Sequence, residues 1–443
     1  MSSKNNNTTT TDKAKPTLVP KLRFPEFRET QAWSERRLID TVDRSVKWGF
    51  IGGPFGSNLK SSDYVPSGVR IIQLQNIGDG EFHNEYQIFT TEEKADELLS
   101  NNIFPGEIIM SKMGDPVGRA CLIPEGHDRY VMCSDGIRLV VNPREHDKYF
   151  IYSLINSPLF RTVVEKTATG STRKRIGLDE LKSLPMRLPK KAEQQKIAEC
   201  LSSVDELIAA QARKVDALKT HKKGLMQRLF PREGETQPRL RFPEFQNAGE
   251  WEPDTLESLC TAKISYGIVQ AGPHVPNGMP YIKSTDLNSE LCLTKLARTS
   301  DSIALKYQRS EVMPGDIVFS LRGNIGATQI VPRDIPVANL TQGTARIRPK
   351  GSVEFYIQAL QSPAIRNRII SVSKGSTIQE ISLETLRKVK LPHPKIDEQR
   401  CIAACLTRLD ALITAEDQKL EALKTHKKGL MQQLFPSSRE AEA

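Results

Sequence analysis

Apolar residues recur at alternating spacings of four and three in two stretches of the chain. Positions 197, 201, 204, 208, 211, 215, 218, 222, 225 and 229 read Ile, Leu, Val, Ile, Gln, Val, Leu, Lys, Leu, Leu. The positions 205 residues further on, from 402 to 434, read Ile, Leu, Leu, Ile, Glu, Leu, Leu, Lys, Leu, Leu. Heptads sustained this long predict a long helix with a coiled-coil seam. The polar exceptions fall in the same places, Gln211 with Glu416 and Lys222 with Lys427. Two matching seams in one chain are paired most economically with each other; the alternative is a helix buried under its own neighbouring domain. Gln211 and Glu416 are expected to fix the register of the pair or to face partner subunits.

Ahead of each seam the pattern is different. Val69-Arg-Ile-Ile-Gln-Leu74, Glu107-Ile-Ile-Met110 and Gly136-Ile-Arg-Leu-Val-Val141 are β-rich runs bounded by Gly, Pro and Asp. Gly315-Asp-Ile-Val-Phe-Ser320 and Thr344-Ala-Arg-Ile-Arg-Pro349 look alike in the second half. Helical stretches follow near Lys148–Asn156 and Val353–Leu360, leading to Ser157-Pro158 and Ser362-Pro363. A Pro-marked stop, Leu188-Pro189 or Leu391-Pro392-His-Pro394, precedes each long helix.

The two halves are copies. Ala217 to Gln227 returns unchanged as Ala422 to Gln432, and Leu-Phe-Pro closes both, at Leu229–Pro231 and Leu434–Pro436. A lead motif, Leu22-Arg-Phe-Pro-Glu-Phe27, returns as Leu240 to Phe245, and a Trp follows each at the same distance, Trp33 and Trp251. Such repeats decide the architecture. The offset is 218 at the lead motifs (Leu22 to Leu240) and 205 at Gly170-Ser-Thr172 against Gly375-Ser-Thr377, so the first insert is 13 residues longer. The inserts are expected to share a fold but not a surface. The order of lead motif, insert and helix, given twice, is cyclically symmetric and predicts antiparallel helices about a pseudo-two-fold axis. A helix of about 35 residues is roughly 50 Å long at ~1.5 Å per residue, on the order of one to one and a half turns of duplex DNA.

Composition narrows the class. Lys and Arg number 63 against 53 Asp and Glu, a net charge of +10, and the pI is about 9.1. A basic surplus suits a polyanion such as nucleic acid, or ordinary solubility. No apolar run reaches the length of a membrane span, and Met1–Thr11 lacks the apolar core of a signal peptide and reads as a disordered tail. Seven cysteines without a Cys-x-x-Cys pair argue against a disulfide framework or a zinc module, and Cys401 and Cys405 are read as packing residues. A cytoplasmic chain is expected.

Catalytic signatures are missing. The chain has neither Gly-x-x-x-x-Gly-Lys-Ser/Thr nor Gly-x-Gly-x-x-Gly. Asn142-Pro143-Arg lacks the second Pro and the aromatic of an amino-methyltransferase signature, and no His-x-x-x-His occurs. His221 and His426 sit beside Lys pairs on a solvated helix face, and Asp179-Glu180 reads as the first turn of a helix. No catalytic residue and no metal ligand is predicted.

Recognition chemistry is more visible. Gly52-Gly-Pro-Phe-Gly-Ser-Asn-Leu-Lys60 is a Gly-rich loop whose backbone, with Asn58 and Lys60, suits phosphates, or equally a tight turn. Gln73, Gln75 and Asn76 carry amides suited to adenine, matched by Lys283-Ser284-Thr285-Asp286 in the second half; polar positions alternating on a strand would look the same. Lys112 and Arg119 flank Gly114-Asp-Pro-Val-Gly118, matched by Arg322-Gly-Asn324-Ile-Gly326. Gly170-Ser171-Thr172-Arg173-Lys174-Arg175 sets three cations beside hydroxyls and suits phosphate binding. Its counterpart, Lys374-Gly375-Ser376-Thr377-Ile-Gln379, keeps Gly-Ser-Thr and loses the triple cation. Scarce aromatics disfavour a single-strand binder.

The two-unit layout, the stops before Glu193-Gln-Gln-Lys-Ile-Ala198 and Glu398-Gln-Arg-Cys-Ile-Ala403, and the duplicated Lys-Lys-Gly-Leu-Met-Gln ends resemble the specificity subunits of type I restriction-modification enzymes. The resemblance covers nearly the whole chain and implies an α+β fold. Two mixed α/β target recognition domains, residues 20–188 and 238–393, are then joined by helical regions 189–237 and 394–436, with tails 1–19 and 437–443. It implies duplex DNA as partner, each domain reading one half of a split, asymmetric site. It also implies two adenine-methyltransferase subunits docked on the helices, together with restriction subunits. S-adenosylmethionine, ATP and Mg would be bound by those partners and not by this chain. A coiled-coil scaffold with no DNA role is the competing reading.

Overall fold

Both seams form helices, Lys191–Leu229 and Ile396–Leu434, of 39 residues each. The computed structural model describes residues 19–171, 173–375 and 379–436. The expected tails, apart from residue 19, and Thr172, Ser376 and Thr377 lie outside the described residues. The chain divides into two units, residues 1–210 with 420–443 and residues 211–419, so each long helix contributes to both.

In unit 2 the helical segments run antiparallel, and the polar seam positions meet. Gln211 Nε2 donates to the Glu416 carboxylate (2.6 Å) and to its carbonyl (2.9 Å), while Lys214 reaches the other carboxylate oxygen at 2.5 Å. Those bonds hold the Glu416 carboxyl below its ordinary range, Gln211 first and Lys214 second. Lys222 pairs with Asp410 at 2.6 Å. Unit 1 holds the matched pair, Lys427 with Asp205 at 2.7 Å, and Tyr149 donates to the same carboxylate. A buried polar group at a seam position pairs only in one register, so the exceptions align the helices. Gln211 and Glu416 are each other's repeat equivalents, and they pair across the seam.

Each unit is closed by its lead motif. In unit 2 the Leu240 amide donates to the Arg228 carbonyl at the end of the first long helix (2.9 Å). In unit 1 the Leu22 amide donates to the Gln433 carbonyl at the end of the second (2.9 Å), the position matched to Arg228. The aromatic contacts repeat as well. Trp33, Phe150 and Phe435 pack with ring centroids 5.6–6.3 Å apart, and Trp251, Phe230 and Phe355 with centroids 5.6–6.2 Å apart. Each such pair adds about 0.5–1.5 kcal/mol beyond the area it buries.

The Glu-Gln pairs at the helix starts bind this junction together. Arg23 donates twice to Glu193 (2.7 and 2.8 Å), and Trp33 Nε1 donates to the same carboxylate (3.2 Å). Arg241 forms the matched bidentate pair with Glu398 (2.7 Å each), but Trp251 Nε1 is buried without a partner among the described residues. Gln194 donates to the Pro189 carbonyl and accepts from Asp147 N; Gln399 does the same with Pro394 and Ser352 N. Asp147 and Ser352 cap helices Lys148–Ile155 and Val353–Gln361. One side chain thus fixes two helix starts.

The inserts are mixed β with short helices. In unit 1 a four-stranded sheet orders Phe50–Gly52, Gly136–Leu139, Ile108–Ser111 and Ala120–Leu122. A five-stranded sheet orders Tyr64–Val65, Ile88–Thr90, Val69–Ile72, Tyr130–Met132 and Asn102–Ile103. Unit 2 has two three-stranded sheets, Ala297–Thr299, Met279–Ile282 and Asn339–Leu340, and Thr328–Ile330, Ile317–Ser320 and Thr344–Ile347. In both units one strand pair is parallel, Val69–Ile72 with Tyr130–Met132 and Met279–Ile282 with Asn339–Leu340. A ladder joins Ser34–Arg37 to Pro185–Leu188, matched by Glu252–Thr255 with Lys390–His393. The run expected to continue as strand to Leu74 stops at Ile72 and turns into a 3-10 helix, Leu74–Asn76.

Glu193 and Arg23 are almost fully buried, so removing one partner strands a charge. Glu193→Ala is expected to lower the stability of unit 1 by about 3–5 kcal/mol, and Glu398→Ala that of unit 2 by a similar amount. Urea titration of each variant against the parent chain checks this.

Candidate nucleic-acid interface

Loops that the sequence keeps far apart come together on one turn in each unit. In unit 1 the turn is Cys133–Gly136, closed by the Gly136 amide on the Cys133 carbonyl (3.1 Å). Cys133 N donates to the Ile72 carbonyl (2.9 Å), which brings in the Gln73–Asn76 turn. Gly53 N donates to the Gly136 carbonyl (2.8 Å), bringing in the Gly-rich loop, and Lys112 N to the Asp135 carbonyl (2.9 Å). The loop after Gly170 joins last: Gly114 N donates to the Lys174 carbonyl (3.1 Å), Ile176 N to the Lys112 carbonyl (2.9 Å), and Arg175 pairs with Asp135 at 2.8 Å.

Unit 2 repeats this with other residues. The turn Thr341–Thr344 takes Thr341 N to the Ile282 carbonyl (3.2 Å) and Gly267 N to the Thr341 carbonyl (3.1 Å). Leu321 N donates to the Gly343 carbonyl (2.8 Å), Ile381 N to the Leu321 carbonyl (2.9 Å) and Gly323 N to the Gln379 carbonyl (3.1 Å). Arg322 closes on Glu380 at 2.7 Å. Arg175 and Glu380 occupy matched positions, so the loop's ion pair has the opposite polarity in the second unit.

The close approach requires glycine at two places. A Cβ at Gly53 would lie 1.7 Å from the Cys133 carbonyl oxygen, and one at Gly267 would lie 1.8 Å from that of Leu340. Two residues beyond each glycine an apolar side chain points into solvent, Phe55 at 82 % and Val269 at 53 % exposure.

The candidates divide clearly. Asn58, Lys60, Gln75, Ser171, Arg173, Lys174 and Arg175 are exposed in unit 1, as are Lys283, Thr285, Arg322, Asn324, Lys374 and Gln379 in unit 2. Gln73, Lys112 and Ser284 are half-buried, and Gln73 Nε2 donates to the Tyr64 hydroxyl (3.2 Å). Asn324 Nδ2 donates to Asn288 (3.1 Å), and Lys283 lies 3.9 Å from Asp286. Two candidates need correction. Asn76 is fully buried; it accepts from Gln73 N (2.8 Å) and donates to the carbonyls of His83 (2.8 Å) and Tyr86 (2.9 Å). Its amide holds the turn and is closed to a base edge, as Asp286 holds the matched turn through Lys283 N (2.8 Å). Arg119 directs its guanidinium at the carbonyls of Ile77, Leu74 (3.1 Å) and Pro116 (3.4 Å), and so supports the same turn from behind.

Sequence reasoning missed several contributors. The turn residues Ser134, Asp135 and Gln342 carry no motif, and Phe55 stood inside a flagged loop without being singled out. Exposed Phe at a loop tip is the signal that was available. Elsewhere, burial pushes the Cys121 thiol up to about 12 and those of Cys133 and Cys260 to about 11, so none is a thiolate nucleophile. Among the described residues no group of three or more His, Cys, Asp or Glu is placed to hold a metal, and no helix is long and apolar enough to cross a membrane.

Comparison with known proteins agrees on one family. The family described as the type I restriction modification DNA specificity domain matches residues 71–220 and 248–425. The chain is 25% identical over 388 residues to the type I restriction enzyme EcoBI specificity subunit of Escherichia coli, covering 80% of this chain and 76% of that one. It is 23% identical over 384 residues to the putative type I restriction enzyme MjaX specificity subunit of Methanocaldococcus jannaschii, covering 83% and 86%. The fold is similar to that of the type I restriction-modification S subunit from M. genitalium, with TM-score 0.55 and 20% identity over 95% of this chain and 99% of that one. A chain from a structure describing complex assembly and conformational transition of the type I R-M system gives TM-score 0.56 at 17% identity, covering 91% and 97%.

Burial of the Asn76 amide has a measurable consequence. Asn76→Ala removes the three hydrogen bonds through which this buried amide holds the turn and is expected to destabilise unit 1 by about 1–3 kcal/mol. Gln75→Ala, one residue away and exposed, is expected to leave the melting temperature unchanged, which thermal denaturation of both variants checks.

Proposed function

The chain belongs to the type I restriction-modification DNA specificity family, and from that premise we propose that each unit reads one half of a split, asymmetric duplex site. This reading is carried by the convergence of loops on one turn in each unit: apart from the partners of Gly53 and Gly267 the backbone pairing is matched, and the outward residues are not. Phosphate contacts position a protein and base contacts specify a sequence. Lys60, Lys112, Arg173, Lys174 and Arg175 in unit 1 supply backbone contacts, and Asn58, Gln73 and Gln75 supply groups for base edges. In unit 2, Lys283, Arg322 and Lys374 take the first role and Ser284, Thr285, Asn324 and Gln379 the second. Phe55 and Val269 offer apolar contact to a thymine methyl or a base step.

The long helices act as a spacer and as the seat of two methyltransferase subunits, through which restriction subunits join the complex. Exposed residues diverge freely because packing does not hold them. Yet Lys219, Thr220, His221, Lys223 and Gln227 are exposed and identical to their counterparts Lys424, Thr425, His426, Lys428 and Gln432. Leu207 and Leu412, also matched, are 57 % and 43 % exposed. One face used twice by the same partner accounts for both facts. The chemistry of methylation and cleavage belongs to those subunits, and this chain selects where it happens.

Cells carrying the chain with its methyltransferase subunits are expected to methylate adenines at a gapped motif in genome-wide mapping. Exchanging residues 30–180 for the matching segment of another family member is expected to change one half of that motif and keep the other. A motif without a gap, or one that changes in both halves, would contradict the reading. The purified complex is expected to hold two methyltransferase subunits per chain by native mass, and Lys428→Glu to reduce that to one.

A further inference from the structure

Unit 2 carries a cationic groove of about 560 Å³, lined by Arg368, Lys374, Lys388 and Lys390 with the hydroxyls of Ser382 and Thr385. One carboxylate faces it, Glu384, which pairs with Lys388 at 2.6 Å. Arg368 donates to the Lys390 carbonyl (3.3 Å) and lies 3.6 Å from Glu233. Among the described residues neither Lys374 nor Lys390 has an ion-pair partner, and both are exposed. The groove therefore presents a surplus of positive charge.

The matched positions of unit 1 carry none of it. At an offset of 205, Arg368, Lys374, Lys388 and Lys390 correspond to Val163, Thr169, Ser183 and Pro185. The reverse holds for the loop: Arg173, Lys174 and Arg175 of unit 1 correspond to Ile378, Gln379 and Glu380. At these matched places the cations lie on the loop in the first unit and in the groove in the second. The charge is kept while its position shifts. Such compensation is expected where the ligand is a polyanion whose charge is continuous and can be gripped at either of two neighbouring places.

We propose that this groove seats the phosphodiester backbone of duplex DNA, so that the two units hold the backbone at different points relative to their reading loops. The inference rests on the reading of unit 2 as a DNA-binding unit. Continuity with the interface supports DNA over an acidic protein. Lys374 pairs through its backbone with Glu380 (2.8 and 2.9 Å), and Glu380 takes the Arg322 guanidinium of the reading loop.

The test is the salt dependence of binding by the full chain in the complex with which it purifies. Its own target duplex and a random duplex are compared. Each lost phosphate contact flattens the plot of log K against log salt by about 0.9. Lys374→Gln with Lys390→Gln is expected to reduce the slope by about two and to weaken both duplexes by about tenfold. The preference for the target should be unchanged. Arg173→Gln with Lys174→Gln, on the loop of unit 1, is expected to match it. An unchanged slope in the groove variant, with a steep parental slope and an unaltered unfolding midpoint, would overturn the groove. So would loss of a co-purifying subunit with the slope intact, which marks a protein dock. A parental complex that shows no salt-dependent DNA binding would instead sink the reading of the whole interface.

Discussion

Unit 1 is completed by the far end of its own chain. The Leu22 amide closes on the Gln433 carbonyl, Phe435 enters the stack of Trp33 and Phe150, and Arg23 and Glu193 lock the junction from the side. In unit 2 the matching amide bond forms between residues a dozen apart, Arg228 and Leu240. The repeat is therefore a ring in topology: the second helix hands on to the first lead motif just as the first helix hands on to the second. The matched ladders, caps and polar seam pairs follow from that closure, since they require both helices to present corresponding ends to corresponding inserts.

This arrangement separates what must be copied from what is free to change. Glu193 and Glu398, and Gln194 and Gln399, are hydrogen-bonded inside their units, where the Trp-Phe-Phe stacks also pack, and a change in any one leaves a buried group unpaired or a gap in packing. The loops on the Cys133–Gly136 and Thr341–Thr344 turns are held largely by backbone bonds, with side-chain demands confined to Gly53, Gly267 and buried supports such as Asn76. Arg175 facing Asp135 in one unit and Glu380 facing Arg322 in the other show how far the surface can diverge on a constant backbone. A reader whose specificity changes without loss of fold needs this division.

The frame was largely legible in the sequence because periodicity and identity are local signals. The heptads marked both helices to within a few residues, and the matched polar exceptions Gln211 and Glu416 marked a place where the two seams meet. The reading surface was only partly legible. An Asn in a turn looks the same whether it faces a base or holds the turn, and only burial and three hydrogen bonds separate Asn76 from Gln75. Arg119 likewise looks like a phosphate contact until its carbonyl partners are known. Arg368, Lys374, Lys388 and Lys390 are spread over 23 residues of chain, with no motif joining them. Their proximity exists only in the fold.

Circular permutation tests the ring topology. New termini are cut within residues 233–238 and the old ends joined by a linker about as long as the natural segment between Leu229 and Leu240. The permutant then begins with the second lead motif and ends with the first long helix. The permutant is expected to keep the unfolding midpoint and the methylated motif of the parent chain. A permutant that folds but loses either half of the motif, or whose unfolding midpoint falls well below that of the parent, would contradict it.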